Sequence, residues 1–238
     1  MKLTKKIIII YLIFNNLSYS QSIDSLVTSK HKPYIVPVAL MAGGLMVQGS
    51  ISKSLRDNFW QKNFKTFNTS ADDALALAPL MLTGGLALAG VKGKHRFNEQ
   101  VILGGMSMVL ANSITFGLKN IIKYPRPDGS DNLSFPSGHT TIAFAGAAIL
   151  AQEYGHRSLA YSVGGYALAT TTGTMRMLNN KHWLADVLFG AGVGIVSTKV
   201  VYALYPLIQK RLLKRPNLAL TPIVINSGHV GLYASLVF

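Results

Sequence analysis

The sequence predicts an all-α protein: a six-helix bundle embedded in a membrane, with a short C-terminal β-hairpin. Three observations carry that expectation. Of 238 residues, 49% are hydrophobic and 13% charged, about half the charged share of an ordinary soluble domain. Apolar stretches recur at 34–48, 74–91, 101–118, 140–151, 159–174 and 184–207, and none alternates as a half-buried strand would. These stretches are rich in Ala and Gly, which let helices approach closely in a bilayer.

The elements follow in order. MKLTKK, then IIIIYLIF, then SYS before Gln21 reads as a signal peptide over 1–20. Eight apolar residues are too few to span a bilayer, although an uncleaved anchor is the alternative. Residues 21–73 form an N-terminal apolar helix and a connecting loop, 74–207 the core, and 208–238 a basic segment and hairpin tail. In that tail LALTPIVIN and HVGLYASLVF flank Ser227-Gly228 as two strands around a turn. Gly84-Gly85, Gly104-Gly105 and the trio Gly190, Gly192 and Gly194 are expected to form helix-packing faces.

Loop charges set an orientation. Lys92, Lys94 and Arg96, then Arg157, then Lys210, Arg211, Lys214 and Arg215 mark one side as cytoplasmic, which puts loops 119–139 and 175–183 outside. A cleaved signal followed by six full spans gives the opposite orientation. The conflict disappears if 34–48 lies on the outer surface or re-enters, or if the bundle is soluble.

The net charge of +14 comes from 23 Lys and Arg against 9 Asp and Glu. The cations are scattered in short loops, with no basic helix and no interleaved aromatics, which argues against nucleic acid. No protein partner is indicated. Without cysteine there are neither disulfides nor thiolate metal sites.

Three stretches carry chemistry. In RMLNNKHWLAD, His182 and Asp186 are four apart and share one helical face. Such a pair serves as a nucleophile with its orienter, as a general base, or as a simple ion pair, and Arg176 alone reads as a loop cation. FPSGHT at 135–140 opens an apolar helix, where Ser137, Gly138 and free backbone amides suit an anion and His139 adds an imidazole. Alone it is also an ordinary Pro-Ser helix start. In KNIIKYPRP, Lys119 and Arg126 stand six residues apart on an extended approach, or Lys119 merely snorkels at a helix end. Taken together, three cations, two imidazoles, a carboxylate and a Gly-centred turn fall at one end of the helices. Phosphoryl transfer needs that inventory.

The set resembles the type 2 phosphatidic acid phosphatase superfamily, whose pattern is K-x6-RP, PSGH and SR-x5-H-x3-D. Here Lys119, Arg126, Pro127, Pro136, Ser137, Gly138, His139, Arg176, His182 and Asp186 match in order and spacing, while Met175 replaces the usual Ser. The resemblance implies that His182 attacks phosphorus with Asp186 holding its ring. It implies that His139 protonates the leaving oxygen and then activates water. Lys119, Arg126, Ser137, Gly138 and Arg176 would bind the phosphoryl oxygens, with no metal and no other cofactor.

The hydrophobicity and the short gap between Pro127 and Pro136 favour a phospholipid substrate in a bacterial inner membrane, with the site facing the periplasm. Lipid A comes first, as in lipid A phosphatase-like members of the family. Undecaprenyl diphosphate, phosphatidylglycerol phosphate and a soluble non-specific acid phosphatase activity are the alternatives, with a vanadium haloperoxidase and a non-catalytic scaffold behind them. Phe59-Trp60, Phe135 and Trp183 are expected to shape a substrate groove.

Overall fold

The computed structural model describes residues 32–212, 217–225 and 229–237. The signal-peptide reading of 1–20 lies outside the described residues. Among those residues there are seven helices rather than six. They are α1 (Lys32–Met46), α2 (Ser50–Phe64), α3 (Ala71–Leu88), α4 (Phe97–Ile122), α5 (Gly138–Tyr154), α6 (Leu159–Leu178) and α7 (Leu184–Leu212). The additional one is α2, which includes a π-helical turn at Arg56–Trp60. Its apolar residues Ile51, Leu55 and Phe59 recur every four positions, a helical stripe that no continuous apolar run reveals. Chain contacts divide the protein into residues up to Tyr202 and Ala203–Phe238. The second unit contains β1 (Asn217–Ile225) and β2 (His229–Val237), paired antiparallel from Asn217 with Val237 to Ile225 with His229.

The first unit is organised around α5, which packs on α3, α4 and α6. Eleven of its seventeen residues are buried, including Ala143, Ala145, Gly146, Ala147 and Ala148. A helix buried all round needs small residues on several faces, and this one has them. Facing outward, Met81, Leu88, Val109 and Phe116 are each about seven-tenths exposed or more, large apolar side chains of the kind that face lipid. Among the described residues three helices are long and apolar enough to cross a membrane: α3, α4 and α7 over Leu184–Leu207. A fourth crossing is possible if α1 and α2, bent 83° apart, count as one broken span. The same bend fits the re-entrant course considered for 34–48. Gly49, at φ 92°, takes the turn that a side chain would disfavour.

The glycines divide differently from the expected packing faces. Nothing lies within 4 Å of a Cβ built on Gly84, Gly85 or Gly105, and Gly104 meets only Ile149 at 3.9 Å. Gly190, Gly192 and Gly194 do pack. A Cβ on Gly190 meets the Ser137 carbonyl at 2.7 Å, and one on Gly194 meets the Thr141 carbonyl at 2.4 Å. So α7 crosses α5 with backbone almost on backbone just below the PSGH turn. Gly194→Ala is expected to destabilise the protein by about 1–3 kcal/mol, since neither backbone can yield cheaply. Gly84→Ala should be neutral or slightly stabilising, and thermal unfolding in detergent compares the two.

At the end of the bundle away from PSGH, Glu153 of α5 is fully buried. It accepts hydrogen bonds from the His95 amide at 3.0 Å and the Tyr202 hydroxyl at 2.8 Å, and it lies 2.8 Å from His95 Nδ1. The Lys94 amide donates to its carbonyl at 3.0 Å, and the Arg157 guanidinium bonds the Lys92 carbonyl. The basic loops 92–96 and 155–158 therefore meet at one end. The 26 residues of α4 place them about 39 Å from the other end.

Candidate active site

The C-terminus of α6 sets the position of the first catalytic candidates. Asn179 ends the helix, and Asn180 adopts a left-handed conformation at φ 58°, which Asn tolerates better than most residues. The amide of Asn180 donates to the Met177 carbonyl at 3.0 Å, and that of Lys181 to the Arg176 carbonyl at 3.0 Å. This is a Schellman closure. The His182 amide adds a third bond, also to the Arg176 carbonyl, at 3.2 Å. The Asn-Asn pair thus folds the chain back so that His182 follows Arg176 closely before α7 begins.

His182 is buried, and its Nδ1 lies 3.3 Å from Asp186 Oδ2 one turn along α7. The same carboxylate oxygen accepts from the Trp183 amide at 2.9 Å and from the Ser134 hydroxyl. Ser134 Oγ also lies 3.5 Å from His182 Nδ1. Burial lowers the imidazole's proton affinity, and the nearby charges of Lys119 and Arg126 act the same way. Asp186 opposes them, and the balance brings the pKa down to about 4. At neutral pH the ring is therefore uncharged and keeps a nucleophilic lone pair. With Nδ1 tied to Asp186, that lone pair is on Nε2.

Three cations belong to the same cluster, and two of them, Lys119 and Arg126, act on this histidine directly. Lys119, in the last turn of α4, bonds the carbonyls of Leu133 and Ser134, the latter at 3.4 Å. Arg126 donates from Nε to Asp131 at 2.7 Å and from Nη1 to the Lys181 carbonyl at 3.4 Å, which ties its loop to the His182 loop. Pro127 and Gly129 close a turn behind it, with the Gly129 amide on the Arg126 carbonyl at 3.1 Å. Burial alone would raise the carboxyl of Asp128, but bonds from Lys181 and Ser130 outweigh it and hold it at about 2. Arg176 pairs with Asp72 at 2.6 Å, while its Nε is buried with no hydrogen-bond partner among the described residues. An orphaned guanidinium N–H of this kind suits an anionic oxygen.

The PSGH turn completes the cluster. The Ser137 amide donates to the Asp186 carbonyl at 3.1 Å, fixing the turn against α7. Its hydroxyl accepts from Thr140 at 2.9 Å and so retains its own proton for a ligand. Gly138 and His139 begin α5, where first-turn amides have no intrahelical acceptor. His139 Nε2 lies 2.8 Å from Asp73 Oδ1 at the start of α3.

The structure thus gathers all eight predicted positions at one end of the bundle. Sequence reasoning missed Ser134, Asp72, Asp73 and Asn179, whose Nδ2 bonds Asp72 at 3.2 Å. The expected core boundary at 74 falls inside α3, just past the two carboxylates. Two groove residues are reassigned. Phe135 is 1% exposed and packs on Phe189 at 4.7 Å between centroids, so it belongs to the core. Trp183 is buried, bonded through Nε1 to the Pro125 carbonyl at 2.8 Å and covered by Arg56. Phe59 stays half exposed on α2, where it contacts Trp60 and Phe64.

A buried, uncharged histidine oriented by a carboxylate, with three cations in the same cluster, is equipped to take phosphorus from a phosphate ester. Residues 100–210, which hold every matched motif position, match the PAP2 superfamily. Over 172 residues it is 37% identical to the lipid A 1-phosphatase of Porphyromonas gingivalis. That stretch is 69% of this chain but 38% of the relative, so the chain spans well under half of that protein's length. Two solved structures match more loosely. Aquifex aeolicus LpxE matches with a TM-score of 0.48 at 21% identity, over 61% of this chain and 93% of that one. A transmembrane PAP2 type phosphatidylglycerolphosphate phosphatase from Bacillus subtilis matches at 0.47 and 18%, over 74% of this chain and 98% of that one.

Proposed function

We propose that the protein is a metal-independent phosphatase of membrane phospholipids, working through a phosphohistidine at the periplasmic face, with lipid A as its first substrate. The observation that carries this reading is His182, neutral and held by Asp186 among Lys119, Arg126 and Arg176. In the first step Nε2 attacks phosphorus in line, and the bond from phosphorus to the lipid oxygen breaks. His139 gives its proton to that oxygen. In the second step His139 takes a proton from water, whose oxygen attacks phosphorus as the bond to Nε2 breaks. Inorganic phosphate leaves, and both histidines return to their starting states. The three cations, the Ser137 hydroxyl and the Gly138 amide stabilise charge on the equatorial oxygens in both steps.

The lipid substrate is supported by the apolar exterior of α3 and α4, by the exposed aromatics of α2, and by the named activity of the Porphyromonas relative. The periplasmic face is supported by the basic loops 92–96 and 155–158 lying at the opposite end. The test is phosphate release by the purified protein from lipid A, undecaprenyl diphosphate and para-nitrophenyl phosphate in parallel. Lipid A is expected to give the highest kcat/KM. A strong preference for the soluble ester would reject the lipid reading.

A further inference from the structure

Two carboxylates at the site have no part in the mechanism above. Asp72 and Asp73 open α3, where acidic side chains are favoured by the helix dipole alone. That general effect leaves such residues free in solvent, and these two are engaged. Asp72 is 1% exposed and holds Arg176 at 2.6 Å and Asn179 at 3.2 Å. Asp73 reaches α5 instead, 2.8 Å from His139 Nε2, with Arg176 Nη1 3.7 Å from the same oxygen. Successive helix positions diverge by about 100°, so the pair joins α3 to two different helices where the chemistry takes place.

We propose that Asp73 is the positioning carboxylate of His139, serving the leaving-group acid as Asp186 serves the nucleophile. This rests on the phosphohistidine reading above. With Nε2 held by Asp73, His139 presents Nδ1 to the substrate. The charged groups facing His139 are Asp73 and Asp72 from α3 and Arg176 from α6. Burial and then Arg176 lower the proton affinity of the ring, and Asp73 and Asp72 oppose them. Asp73, 2.8 Å from Nε2, therefore favours the protonated ring that the lipid oxygen needs. Asp72 neutralises Arg176 on the side away from the substrate and so limits its effect on His139. The two histidine–carboxylate pairs differ in access. Asp186 is wholly buried, whereas the side chain of Asp73 is 61% exposed.

The experiment uses the full chain in detergent with two substrates that differ in leaving group, n-octyl phosphate and para-nitrophenyl phosphate. An alkoxide needs a proton to leave, and nitrophenolate needs it far less. Asp73→Asn is expected to lower the octyl-to-nitrophenyl ratio of kcat by on the order of tenfold or more, part of what a general acid supplies. It should also move the alkaline limb of the octyl phosphate pH–rate profile to lower pH, because the imidazolium loses its anionic partner. Asp73→Glu should restore much of both, which a merely structural role does not predict. A ratio and a limb unchanged in well-folded Asp73→Asn would overturn the assignment. His182→Ala is assayed alongside. Turnover that survives it overturns the phosphohistidine reading and this proposal together. An inactive His182→Ala with an unmoved Asp73→Asn overturns the role of Asp73 alone.

Discussion

His182→Ala is expected to lower phosphate release by at least ~10⁴-fold, the scale on which removing a covalent nucleophile acts. The fold should survive. Asp186 keeps the Trp183 amide and the Ser134 hydroxyl, and none of the bonds described for the three cations is to the His182 ring. The charge near the site changes little, because the imidazole it replaces is uncharged at neutral pH, with its pKa at about 4. Two measurements check this. Phosphate release reports the loss, and thermal unfolding reports the fold. Alkaline quenching after ³²P-labelled substrate adds a chemical readout, because phosphohistidine survives base. Wild type should retain label on protein and the variant none. Turnover within tenfold of wild type would remove His182 from the nucleophile role.

That residue was legible in the sequence because the site is written as spaced motifs. Lys119 and Arg126, PSGH, and Arg176 with His182 and Asp186 each sit at a helix end, where a short segment fixes direction. What was not legible depended on partners far along the chain. Ser134 is one hydroxyl in a Ser-rich loop, and only folding brings it to Asp186, 52 residues on. Asp72 and Asp73 look like any acidic first turn, and the Arg176 contact crosses 104 residues. The glycines make the same point. Gly84-Gly85 and Gly190 are equally small, and composition does not say which side of a helix has a neighbour. Helices α3 to α7 were visible as apolar runs, whereas α2 was hidden because Lys53, Arg56, Asp57 and Lys62 between its stripe positions leave no continuous run.

Asp186→Asn is the second large effect, with kcat expected to fall roughly 10³- to 10⁴-fold, as for a carboxylate that orients a catalytic histidine. The cause here is charge rather than tautomer. Asp186 Oδ2 accepts from the Trp183 amide and the Ser134 hydroxyl and lies beside His182 Nδ1. Two of those neighbours require an acceptor, so the oxygen of a substituted amide stays at that position and its NH₂ takes that of Oδ1. Oδ1 is buried with no hydrogen-bond partner among the described residues, so the new donor is left unsatisfied there. The ring keeps its tautomer but loses the negative charge that balances the positive phosphoimidazole formed on attack. KM should move far less than kcat, because that charge matters only once the bond to phosphorus forms. Ser134→Ala keeps the carboxylate and removes one donor to it, so its loss of kcat should be much smaller. Equal losses in the two variants would make hydrogen-bond geometry, not charge, the contribution of Asp186.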